Sequence, residues 1–81
     1  MKKYTSTEIT NGELAARRMS EKARRFYNGT DYYAIREVET DDGIRYDVTT
    51  YDGIFLENAS FEEMQEMFEE MQNESDEDEG C

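Results

Sequence analysis

Carboxylates dominate the reactive side chains of this chain: 21 Asp plus Glu stand against 9 Lys plus Arg, with no His and one Cys among 81 residues, for a net charge of -12. Paired carboxylates can hydrolyse glycosides or hold two metal ions, but only when a concave pocket fixes them a few Å apart. Asp41-Asp42-Gly43 and Asp52-Gly53 also suggest a calcium loop. The spacing rejects it. With Gly43 at the loop's glycine position, Val38 and Thr40 fall where the first carboxylates belong, and with Gly53 there, Val48 and Thr50 do. Without His the usual general base and metal ligand are missing, and a lone Cys81 builds neither a thiolate zinc site nor an internal disulfide. The chain contains no Gly-rich phosphate loop and no nucleophile elbow. The expectation is a binding protein rather than an enzyme, with no metal and no cofactor.

The elements that must position these carboxylates are few, because a chain this short buries one small core. Three spans are expected: an arm over residues 1–9, one domain over 10–73 and a disordered acidic tail over 74–81. Met1-Lys2-Lys3-Tyr4 is not followed by an apolar run, so the chain is expected to be cytosolic. Asn28-Gly29-Thr30, Asn58-Ala59-Ser60 and Asn73-Glu74-Ser75 match the glycosylation acceptor pattern and read instead as caps and turns.

Thr10-Asn11-Gly12-Glu13 reads as a capping box opening a helix from Asn11 to Tyr27, with Ala15, Met19, Ala23 and Phe26 as its apolar stripe. Tyr32 to Thr40 and Ile44 to Tyr51 read as a hairpin. A three-residue loop with Gly43 in the left-handed position pairs Val38 with Tyr46 and Ala34 with Thr50 and sets Arg45 near Glu39. One face then holds Ala34, Val38, Ile44, Tyr46 and Val48. Asp52-Gly53 turns the chain into a third strand, Ile54 to Glu57, and places Ile54 and Leu56 with Tyr33, Ile35 and Tyr51 on the opposite face. Either one helix covers each face, or one face awaits a partner or a second copy of the chain. Ser60-Phe61-Glu62-Glu63 is a capping box for a last helix from Phe61 to about Asn73, with Phe61, Met64, Met67, Phe68 and Met71 as its stripe. The predicted fold is α+β: a helix, a three-stranded antiparallel meander and a helix.

Charge is unevenly placed on this frame. Residues 1–30 carry a net +4 and residues 31–81 a net -16. The last helix holds Glu62, Glu63, Glu66, Glu69 and Glu70 with no basic residue, although like charges at i, i+4 oppose helix formation. Its charge spacing approaches that of a nucleic-acid strand, about 3.4 Å per phosphate. Asp41, Asp42, Asp47 and Asp52 are expected to extend the negative field over one end of the sheet. Such a surface fits the Arg- and Lys-lined groove of a nucleic-acid-binding protein, while a net -12 repels nucleic acid itself. Plain solubility is the competing use of an acidic surface.

The element order is also that of double-stranded-RNA-binding domains, whose second helix begins with basic residues; Ser60-Phe61-Glu62-Glu63 has the opposite sign. In size, charge and element order the chain more closely resembles the small acidic inhibitors of phages and mobile elements, notably anti-CRISPR proteins. That resemblance implies carboxylates standing where DNA phosphates would sit in an RNA-guided nuclease. The alternative expectation is a non-enzymatic interaction module, a regulator or antitoxin-like subunit, that binds a protein through Tyr33, Ile35 and Tyr51 and through Arg17, Arg18, Arg24 and Arg25 of the first helix.

Overall fold

A computed structural model describes residues 4–79; of Asp76–Glu79 only the backbone is described, and Met1–Lys3, Gly80 and Cys81 lie outside the described residues. The elements are α1 (Ser6–Ala16), α2 (Glu21–Asn28), β1 (Ala34–Thr40), β2 (Gly43–Thr50), β3 (Gly53–Ala59) and α3 (Phe61–Glu79). The class is α+β, with the helical part, the antiparallel β1-β2-β3 meander and the last helix in the expected order.

The opening helix is two helices. α1 starts earlier than Asn11 because Thr5, not Thr10, forms the capping box: the Glu8 N–H donates to Thr5 Oγ1 at 3.1 Å and the Thr5 N–H to Glu8 Oε2 at 2.9 Å. Gly12, inside α1, lets the helix lie directly on β1; a Cβ there would stand 2.1 Å from the Ile35 carbonyl oxygen. The helix ends at Arg17, Met19 turns into the core, and Ser20 caps α2 by accepting the Ala23 N–H at 3.2 Å. A straight helix from Asn11 to Tyr27 could not lie on β1 and also run beside α3, which is where α2 packs.

The hairpin register also departs from expectation. β1 pairs with β2 through a two-residue turn at Asp41-Asp42, so that Ile35 faces Val48, Glu37 faces Tyr46, Arg36 faces Asp47 and Val38 faces Arg45. Ile35 therefore joins Tyr46 and Val48 on the core face, whereas Ala34 and Val38 lie on the other, and Arg45 and Glu39 are on opposite faces. β3 is irregular: its register shifts twice, and Asn58 takes a φ of 56°. That left-handed residue carries the N–H that donates to Asp47 Oδ1 at 3.0 Å.

All three helices bury their residues on one side of the sheet. Ala15, Ala16, Met19, Ala23, Ile35, Tyr46, Val48, Met64 and Phe68 form a single cluster. Tyr33 closes it at one end, its ring 5.7 Å from Phe26, 5.5 Å from Phe55 and 6.0 Å from Phe68. α3 was expected to stop near Asn73; its helical backbone continues through Glu79. No Gly or Pro interrupts residues 61–79, Glu is a good helix former, and like-charge pairs oppose by only a few tenths of a kcal/mol each.

Candidate partner-binding surface

The buried spacing of α3, Met64, Phe68 and Gln72, fixes which side faces outward. Glu62, Glu66, Glu70 and Glu74 lie on the exposed side at i, i+4 intervals, one per about 6 Å of axis. The full helix of 19 residues is about 28 Å long and holds ten acidic residues and no basic one, one per about 3 Å. Glu74, read from the sequence as tail, belongs to the row; its signal was the unbroken i, i+4 spacing from Glu62.

Two α3 carboxylates are used locally. Glu63 Oε1 accepts the Ser60 N–H at 3.4 Å and the Glu63 N–H donates to Ser60 Oγ at 3.2 Å, which is the expected capping box. Glu69 is half-buried and accepts the Ser20 hydroxyl proton at 2.6 Å, while Gln65 Oε1 accepts the Ser20 N–H at 2.8 Å. Glu69 therefore clamps the start of α2, where the helix dipole favours a negative charge, and is not an outward contact.

The expected acidic end of the sheet is not one surface. A meander puts successive turns at opposite ends, so exposed Asp41 and Asp42 lie far along the strands from exposed Asp52. Asp47 is buried on the second face of the sheet. Its Oδ2 accepts from Arg36 Nη1 at 3.1 Å, and Arg36 Nη2 donates to Glu8 Oε1 at 3.1 Å beneath the Tyr4 ring, 4.3 Å from the guanidinium carbon. Arg36, helped by the Thr5 N–H, holds the Glu8 carboxyl at about 2, well below its ordinary 4.5, and Glu8 in turn raises the Arg36 guanidinium above its usual value. This network fastens the start of α1 to the sheet; it is a support rather than a binding site.

The residues of the alternative surface are dispersed. Ile35 is wholly buried and Tyr33 half-buried within the ring cluster, so neither is a spare face; Tyr51 alone of the three is exposed. Arg18 donates to the Tyr46 hydroxyl at 3.4 Å and covers the Phe61 ring, and Tyr46 donates to Glu37 Oε1 at 3.0 Å. Burial, together with Glu37, raises the Tyr46 phenol above its ordinary value. Arg25 pairs with Glu21, Arg24 donates to the Arg17 carbonyl at 3.4 Å, and Arg17 is exposed. Among the described residues, no ion pair joins these arginines to α3, although α2 packs against it.

Among the described residues no group of three His, Cys, Asp or Glu side chains is gathered as metal ligands would be. Among the described residues no helix is long and apolar enough to cross a membrane. Comparisons with protein-family models, with characterised proteins and with solved structures give no match.

Proposed function

We propose that this protein is a non-enzymatic inhibitor that occupies the nucleic-acid groove of a protein partner, with the outward carboxylates of α3 standing in for phosphates. One observation supports the reading above all: α3 carries ten acidic residues over about 28 Å, and no described ion pair neutralises Glu62, Glu63, Glu66, Glu69, Glu70 or Glu74, the six whose side chains are described. A helix kept for solubility alone gains by mixing Lys with Glu at i, i+4, and this one forgoes that gain along its whole length. The helix as a whole averages one acidic residue per about 3 Å and its outward row one per about 6 Å, against about 3.4 Å per phosphate along a DNA strand, a field that an Arg- and Lys-lined groove attracts at long range.

An RNA-guided nuclease of the bacterial CRISPR type is the partner proposed from the resemblance in size, charge and element order, and blocked loading of target DNA is the proposed effect. The test is target-duplex binding by a guide-loaded nuclease, read by fluorescence anisotropy with increasing amounts of this protein. Added before the duplex it should prevent loading; added after the duplex is seated it should have little effect. Equal inhibition in either order, or inhibition unchanged between low and high salt, contradicts an electrostatic decoy.

A further inference from the structure

At the end of the sheet where β1 begins and the β2–β3 turn lies, two tyrosines remain outside the core. Tyr32 is 63% exposed and Tyr51 72%. Their ring centroids are 5.1 Å apart with planes at 67°, an edge-to-face corner that leaves π-faces open to solvent. The corner is held in place from both sides: the Tyr32 N–H donates to Thr30 Oγ1 at 3.1 Å, and the Asp52 N–H to Thr50 Oγ1 at 3.3 Å. Each ring also has an exposed aspartate as its chain neighbour, Asp31 beside Tyr32 and Asp52 beside Tyr51.

We infer that Tyr32, Tyr51, Asp31 and Asp52 form a seat for an arginine side chain of a protein partner. A guanidinium is planar, stacks on tyrosine faces and donates to carboxylates in a fork, so it uses both chemistries this corner offers. The two exposed aspartates next to the rings in the chain make the local field negative, which favours a cation over an apolar occupant. The seat lies where the acidic helix leaves the sheet. Phe61 of α3 meets Tyr46, and Phe68 meets Tyr33 just ahead of β1, so the residues after Phe68 run on past that same end. The inference takes from the proposed function only that the partner is basic, and it specifies a fixed contact where the helix offers a diffuse field.

The probe is an eight-residue peptide of alternating Arg and Gly, titrated into the full chain while the tyrosine ring resonances are followed by NMR. The Tyr32 and Tyr51 rings should shift and saturate. Tyr51→Leu should weaken the saturable step about two- to fivefold, the range a solvent-exposed cation–π contact supplies. Tyr51→Phe, which keeps the ring, should leave that step in place. Glu62, Glu66, Glu70 and Glu74 changed together to Gln should lower the overall affinity yet leave the ring shifts present. Rings that do not move, or a Tyr51→Leu variant that binds as the parent does, overturn the seat. If the ring shifts persist while the four Gln changes leave inhibition of DNA loading intact, the decoy reading falls and the seat stands.

Discussion

Gly12 sits where α1 touches the backbone of β1, and a methyl group there would meet the Ile35 carbonyl oxygen at 2.1 Å. Gly12→Ala gains about 1 kcal/mol of helix propensity but forces α1 off the strand at about 3 kcal/mol, so a net loss of about 2 kcal/mol is expected in urea unfolding. Glu8 gives a prediction in pH. Its carboxyl titrates near 2 in the folded chain against an ordinary 4.5, so it contributes stability that is fully present above about pH 4.5 and is lost as pH falls toward 2. Acid unfolding of Glu8→Gln, followed by circular dichroism, should therefore be less steep across that window than in the parent. The pairing of Arg36 with Asp47 explains how the hairpin chooses its register: that register seats the ion pair on one face while Ile35, Tyr46 and Val48 meet on the other. Reading apolar residues alone, without asking which charges need each other, shifts the hairpin by one.

Among elements, the junction at Ser20 sets the helical layer. Its hydroxyl accepts from the Ala23 N–H and donates to Glu69, and its N–H donates to Gln65. Ser20→Ala should cost about 2 kcal/mol, a lost cap together with a half-buried carboxylate left short of a donor, whereas Glu69→Gln keeps an acceptor and should cost less than half as much; chemical unfolding of the two variants compares them. What sequence discloses at this scale is local. The strands, the Ser60 capping box and the stripe of Met64 and Phe68 follow from neighbours a few residues apart, and the structure has them. The break at Ser20 follows from Gln65 and Glu69, 45 and 49 residues away, and no local pattern carries it. The start of α1 was obscured by two Thr-x-x-Glu patterns five residues apart, of which only tertiary contact with Arg36 selects the first.

The whole molecule separates its charges: α2 and the connection before it carry Arg17, Arg18, Arg24 and Arg25, α3 carries ten acidic residues, and no described ion pair crosses between them. Glu62, Glu66 and Glu70 were legible as an outward row because their spacing is helical. Asp47 and Glu69 were not, since each is claimed by a partner distant in sequence. The central claim is that this row displaces phosphate from a groove. It is tested most directly by the half-inhibitory concentration against DNA loading on a guide-loaded nuclease, for the parent, for the joint change Glu62→Gln, Glu66→Gln, Glu70→Gln and Glu74→Gln, and for Arg17→Glu with Arg24→Glu. At about 0.5 kcal/mol for each exposed charge, the four Gln changes should raise that concentration some thirty-fold, while the arginine reversal leaves it within about twofold. A quadruple Gln variant that inhibits as the parent does, or an arginine pair whose reversal abolishes inhibition, would contradict the account.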